Sequence, residues 1–277
     1  MDTIKPCILV PFSFSQYSYQ AGRIAFYWAN KTDSMVLFLH VTDSKNLIPL
    51  QEEINKVKMQ YINEIKDDTL PDVSFEFHLK QGVVEEEIKR YDRKFRPILV
   101  IMGTRDKKQK QVDLIGSVTA EIIEQIQTPV LAIPDEIFLK PLEKIKEIAI
   151  ATSLGKNYLL NYDKGMKFFK DFEGTIHVLH VMESDEINRQ DEYDSKQQKM
   201  QDLLQKARAA YPKATIKPKF IEATQSKARE LNFYAELNHT DLIVVKKSSR
   251  IWLINKLLFA STAQNLVFHA QTALLAI

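Results

Sequence analysis

The chain has 277 residues, which is long for one hydrophobic core and suits two domains of about 140 residues each. Its 38 basic and 36 acidic side chains nearly balance, so the net charge of +2 excludes a strong overall field for nucleic acid or for an anionic membrane. No stretch approaches the ~18 continuous apolar residues of a membrane span, and the first residues do not resemble a secretory signal. We therefore expect a cytoplasmic protein.

The first half alternates strand patterns with helix patterns. It opens with an apolar strand over residues 7–11, and we expect Cys7, the one cysteine of the chain, to be buried there and unreactive. A helix over 15–30 begins at a cap formed by Ser15 or Ser18. The following elements are a strand over 35–41, a helix over 52–66, an edge strand over 73–79 and a helix over 83–95.

The last part of this half combines a buried strand, a basic loop and a helix start. Five apolar residues, 98–102, run into Gly103, which we expect to adopt backbone angles closed to other residues. Gly116 and Ser117 then open a helix, whose unpaired N–H groups and positive dipole end favour an anion. The stretch is a candidate phosphate cradle. The basic side chains between these points either support it or only solvate an exposed loop; they are Arg105, Lys107, Lys108 and Lys110.

The second half repeats the first. Ile148–Ala151 and Leu179–Val181 match apolar segments 140 positions earlier, and three further segments match at an interval of 144: Leu242–Val245, Ala260–Ser261 and Thr272–Ile277. Matches that keep their order and spacing indicate a tandem duplication. We predict domains over 1–136 and 144–277, joined by a polar linker. Alternating strands and helices predict an α/β fold with parallel sheets and helices on both faces.

The stretch from Gly103 to Ser117 resembles the signature of the universal stress protein family, Gly-x-x-Gly, nine residues, then Gly-Ser or Gly-Thr. The resemblance implies two tandem doubly wound, Rossmann-like domains with five-stranded parallel sheets in the order 3-2-1-4-5. It also implies an ATP site where strands one and four end. The residues that it places around the nucleotide are Pro11, Phe12, Ser13, Val41, Met102, Gly103, Asp106, Gly116, Ser117 and Val118.

Two departures weaken the expected site. Asp106 replaces the second glycine of the signature, and Ser13 stands where the family carries an aspartate. Losing a charge-assisted hydrogen bond costs about 1 kcal/mol, and a carboxylate beside phosphates costs up to about 4 kcal/mol. We therefore expect weak ATP binding in the first domain. The second domain has no glycine after Gly174, so we expect no nucleotide there, and we expect its apolar segment 251–259 to cover the vacated crevice or to contact a partner.

No catalytic pattern accompanies these features. The sequence has no nucleophile elbow, no zinc spacing and no P-loop. His177 and His180 are three apart on a strand and point to opposite faces, whereas the repeated His40 and His180 suggest a structural role. We expect a non-enzymatic stress-response protein. The alternative is a nucleotide-independent regulatory or scaffold protein that acts through unknown protein partners.

The resemblance also implies pairing through the last strands. Residues 128–133 and 272–277 are both apolar and terminal, and an unpaired edge of this kind favours association. We expect the two domains to pair within one chain as a pseudo-dimer. A homodimer of two chains is the further alternative.

Overall fold

The computed structural model describes residues 5–45, 47–104, 117–134, 144–183, 188–224, 226–247 and 272–277. The chain divides into two compact units, residues 1–142 and 143–277, which we call the N-terminal and the C-terminal unit. Among the described residues, no helix combines the length and the apolar character that crossing a bilayer requires.

The N-terminal unit is a parallel sheet with helical crossovers. Its strands lie in the order β3-β2-β1-β4-β5, and every pairing between them is parallel. This confirms the order that the family resemblance implied. Its elements are β1 (Cys7–Pro11), α1 (Gln16–Lys31), β2 (Met35–Thr42), α2 (Ile48–Lys66), β3 (Phe75–Gln81), α3 (Val84–Phe95), β4 (Leu99–Gly103), α4 (Ser117–Gln125) and β5 (Val130–Ile133).

An aromatic cluster holds α1 and α2 against this sheet. Phe38 of β2 stacks on Phe77 of β3 at a centroid distance of 4.3 Å and on Tyr61 of α2 at 5.3 Å. Gly22 of α1 allows this approach, because a Cβ atom there would lie 2.3 Å from the Tyr61 hydroxyl. The central strands are covered on both faces, as their apolar sequences predicted.

The C-terminal unit repeats this topology. Its strands follow the order β8-β7-β6-β9-β10, again all parallel. Its longest described helix buries four residues, which are Met200, Leu203, Leu204 and Ala207. The elements are β6 (Glu147–Ala151), α5 (Tyr158–Met166), β7 (Thr175–Met182), α6 (Gln190–Ala210), β8 (Thr215–Glu222), α7 (Lys227–Leu237), β9 (Leu242–Val245) and β10 (Ala273–Ala276).

The starts of α2 and β3 differ from the prediction. Helix α2 begins at Ile48 rather than at residue 52, because Pro49 suits the first turn of a helix, where no backbone N–H is needed. Strand β3 begins at Phe75, the first residue that pairs with β2, although Val73 before it is also buried.

Candidate functional site

Strands β1 and β4 lie at the point where strand order reverses in the N-terminal unit. β1 pairs with β4 only at Ile8 and Leu9, but it follows β2 as far as Pro11. β4, in turn, follows β5 as far as Gly103. The carboxyl ends of the two strands therefore part from each other, which is where ligands bind in open α/β sheets.

The residues after both strands continue this divergence. The Phe12 N–H donates to the Leu39 carbonyl of β2 at 2.8 Å, whereas the Thr104 N–H donates to the Ile133 carbonyl of β5 at 2.8 Å. The segment after β1 is thus bonded to β2 and the segment after β4 to β5. Neither of these two hydrogen bonds crosses the switch point between β1 and β4.

The loop after β1 presents mainly backbone and hydroxyl groups. The Phe12 side chain is only 3% exposed, and its ring packs edge-on against the rings of Tyr19, Phe38 and Phe77. Phe12 can therefore reach a ligand only through its backbone. Ser13 is exposed, and its hydroxyl lies 3.0 Å from the hydroxyl of Ser15, the N-cap of α1.

A histidine fixes the shape of this loop. His40 Nδ1 lies 2.7 Å from the Phe12 carbonyl oxygen, and because a carbonyl only accepts, Nδ1 carries the proton. Phe14 adopts a left-handed backbone with φ 58°, and its ring lies 4.6 Å from the imidazole. This contact supports the structural role predicted for His40. Phe14 has no sequence signal for a left-handed turn, since it is neither glycine nor asparagine.

Gly103 is required for a different reason from the one expected. Among the glycines that the structure describes, only Gly82 has a positive φ, so the predicted special backbone at Gly103 is wrong. A Cβ atom on Gly103 would instead lie 2.8 Å from the Tyr17 Cβ and 3.0 Å from the Tyr17 carbonyl oxygen. The glycine lets the first turn of α1 approach the end of β4, a contact that sequence analysis did not predict.

The structure brings six of the ten candidate residues to the carboxyl ends of three adjacent strands. They are Pro11, Phe12, Ser13, Val41, Met102 and Gly103. Met102 is buried, whereas Val41 is partly exposed. Helix α4 begins at Ser117, followed by the partly exposed Val118. Asp106 and Gly116 lie outside the described residues, as do the four basic residues of the segment 105–110 and the side chain of Ser117.

The corresponding loop of the C-terminal unit has the same backbone contacts. The Thr152 N–H donates to the Leu179 carbonyl at 2.8 Å, and His180 Nδ1 lies 2.8 Å from the Thr152 carbonyl. Leu154 is left-handed with φ 48°, like Phe14 in the first unit. The duplication inferred from the sequence therefore extends to individual hydrogen bonds.

The side chains around this second loop differ. Leu154 is fully buried, and the Lys196 ammonium group of α6 donates to the Ser153 carbonyl at 2.8 Å. A lysine of the same unit thus contacts the residue that corresponds to Ser13. The apolar segment 251–259 and the predicted helix start at Ala260–Ser261 lie outside the described residues.

Comparison with known proteins connects this architecture to a family. The model of the universal stress protein family matches residues 7–134 and 147–277. A universal stress protein from Archaeoglobus fulgidus superimposes with a TM-score of 0.69 at 14% identity, covering 98% of this chain and 97% of that one. A protein of unknown function from Pseudomonas aeruginosa gives 0.65 at 13% identity, covering 99% and 92%. No curated protein sequence matches this chain.

Proposed function

Since the chain belongs to the universal stress protein family, we propose that it is a non-catalytic stress-response protein whose N-terminal unit weakly binds an adenine nucleotide. The observation that carries this proposal is the divergence of β1 and β4 at Pro11 and Gly103. Backbone groups at that switch point suit a ligand rich in polar atoms.

The weakness of the proposed binding follows from Ser13. Its hydroxyl is neutral and already lies 3.0 Å from the Ser15 hydroxyl. A neutral hydrogen bond is worth about 1 kcal/mol less than one to a carboxylate, which lowers affinity roughly fivefold.

Binding is proposed for the N-terminal unit alone. In the C-terminal unit, the Lys196 ammonium contacts the Ser153 carbonyl, and the buried Leu154 follows it. A nucleotide there would have to displace a contact that the protein makes with its own backbone.

Calorimetry of the full-length chain with ATP and with ADP tests this function. We expect binding that becomes about fivefold tighter in Ser13→Asp, because the carboxylate restores a charge-assisted bond. Ser153→Asp is the matched control, and it should leave the dissociation constant unchanged.

Absence of binding heat in both the wild type and Ser13→Asp would reject nucleotide binding. The alternative function would then apply, a nucleotide-independent regulatory or scaffold protein that acts through protein partners. The Ser13–Ser15 and Lys196–Ser153 contacts favour this alternative, because each engages a group that a nucleotide would use. Pairing of the two units through their last strands and a cytoplasmic location stay predictions.

A further inference from the structure

A chain of hydrogen bonds links a carboxylate, an imidazole and a phenol in the C-terminal unit. His177 of β7 places Nε2 2.7 Å from Oε2 of Glu147, the first residue of β6. The Nδ1 atom of the same ring lies 2.8 Å from the hydroxyl of Tyr234 on α7. These residues lie near the amino ends of the strands, away from the loops at the carboxyl ends described above.

The positions of the protons follow from the partners. The Glu147 carboxylate accepts, so Nε2 of a neutral His177 carries the proton and Nδ1 has a free lone pair. The Tyr234 hydroxyl then donates to Nδ1. A hydroxyl that donates to a histidine oriented by a carboxylate is the arrangement that activates hydroxyl nucleophiles.

The surroundings hold this arrangement in place. His177 is only 1% exposed, so its ring cannot turn away into solvent. The Thr175 hydroxyl donates to Oε1 of Glu147 at 2.9 Å, which fixes the second carboxylate oxygen. Asp241 accepts from the backbone N–H of Glu147 at 3.0 Å and so anchors the start of β6.

The N-terminal unit contains a counterpart. Tyr91 and Tyr234 are both the eighth residue of their helices, α3 and α7. The Tyr91 hydroxyl lies 3.0 Å from His78 Nδ1, and His78 Nε2 lies 3.1 Å from Glu76. However, Tyr91 is 4% exposed, whereas Tyr234 is partly exposed. The tyrosine is therefore buried in the N-terminal unit and partly accessible in the C-terminal unit, whereas the histidine is better shielded in the C-terminal unit, with 2% of the His177 side chain exposed against 28% for His78.

We infer that Tyr234 is a nucleophile that accepts the acyl group of a neutral, apolar activated ester, with His177 as general base and Glu147 as a positioning residue. The substrate class follows from the exposed face of the helix that carries Tyr234. Phe233 and Leu237 on α7 are 59% and 64% exposed, and they offer an apolar surface. The negative charges of Glu147 and nearby Asp241 disfavour anionic phosphoryl donors.

The acyl transfer is balanced without a cofactor. The Tyr234 oxygen attacks the ester carbonyl carbon and forms a new C–O bond, while the bond from that carbon to the leaving group breaks. The phenol proton passes to His177 Nδ1 and then to the departing alkoxide or aryloxide. Burial and the charge of Glu147 raise the pKa of Tyr234, so the phenol is protonated at neutral pH and depends on this base. The product is one acylated tyrosine per chain.

Incubation of the full-length chain with p-nitrophenyl acetate tests the proposal. We expect a burst of one equivalent of p-nitrophenolate and an acetyl group that peptide mapping places on Tyr234. Tyr234→Phe should abolish that burst while its circular dichroism spectrum and melting temperature stay near wild type. Tyr91→Phe is the matched control, and it should leave the burst unchanged.

A pH profile separates base catalysis from a structural effect. The acylation rate at neutral pH should fall roughly 100-fold in His177→Gln, and it should then rise only where the phenol itself ionises. Glu147→Gln should slow acylation, and Glu147→Asp should partly restore the rate. Acetylation confined to lysines, or a rate that His177→Gln leaves unchanged at neutral pH, would overturn the inference.

The apolar surface can be tested separately. Helix α3 carries Arg90 and Lys94 at the positions that Phe233 and Leu237 occupy in α7. The double variant Phe233→Arg, Leu237→Lys should acylate Tyr234 more slowly with p-nitrophenyl butyrate than the wild type does, with a smaller change for the acetate. An equal change for the two esters would contradict the assigned substrate class.

Discussion

Burial changes the acidity of Cys7, the first residue of β1. The side chain is 3% exposed, and desolvation raises the pKa of its thiol from 9.0 to about 11. The folded state therefore holds this proton more tightly than the unfolded chain does. The stabilisation is complete below pH 9 and is lost as pH rises through 11.

We predict that ionisation of this thiol at alkaline pH lowers the free energy of unfolding by about 2–3 kcal/mol, since one pKa unit corresponds to about 1.4 kcal/mol. Urea unfolding of the wild type and of Cys7→Ala at pH 8 and pH 11 measures it, because the substitution removes the thiol while other alkaline groups stay. A stability difference between the two proteins that is the same at both pH values would contradict this expectation.

At the residue scale, the sequence predicted which residues lie at the candidate site better than it predicted what each side chain does there. Pro11, Phe12 and Gly103 do lie at the switch point. However, the Phe12 ring belongs to the core, and Gly103 serves packing rather than an unusual φ. The Phe12 ring packs on β2 and β3, and Gly103 meets α1, so both roles depend on elements distant in sequence, which local patterns could not indicate.

At the scale of elements, the contact between α1 and β4 depends on the absence of a side chain at Gly103. In Gly103→Ala the new Cβ would meet the Tyr17 backbone, whose position α1 fixes. We predict a loss of about 1–3 kcal/mol in the free energy of unfolding, the usual range for overpacking. Denaturant titration measures it. Gly155→Ala is the control, because the new Cβ would approach only the Ser153 hydroxyl, at 3.2 Å; an equal loss in both variants would refute the role of Tyr17.

Elements with continuous apolar sequences were predicted most closely. β1 has the predicted bounds, because a short apolar run between polar residues allows little choice. The start of α2 was placed too late, because Leu47 provides no side-chain cap that the sequence could have indicated. The Glu147–His177–Tyr234 chain was not predicted at all, since its members come from three elements and share no spacing.

For the whole molecule, the last strand completes the C-terminal sheet. β10 pairs with β9 over Ala273–Ala276, and these four residues are at most 1% exposed. Removing residues 272–277 would uncover β9 and forfeit the burial of Leu274 and Leu275, worth roughly 3–6 kcal/mol. That is comparable to the whole stability of many domains, about 5–15 kcal/mol.

We predict that the truncated chain aggregates, which size-exclusion chromatography with light scattering would show. The control Leu274→Ile, Leu275→Val keeps the strand apolar and should elute like the wild type. A truncated chain that stays a discrete species of unchanged melting temperature would show that β10 is dispensable.

The left-handed bend after the first strand of each unit also bears on ancestry. Phe14 and Leu154 have different side chains and different surroundings, yet both adopt a left-handed backbone. In each unit, a histidine ring nitrogen also bonds the carbonyl two residues earlier. A geometry that two diverged copies retain was inherited, so this bend is older than the gene doubling. The two carboxylate–imidazole–phenol chains take their histidines from strands that do not correspond, since His78 lies on β3 and His177 on β7, the counterpart of β2. At least one of these chains therefore arose after the duplication.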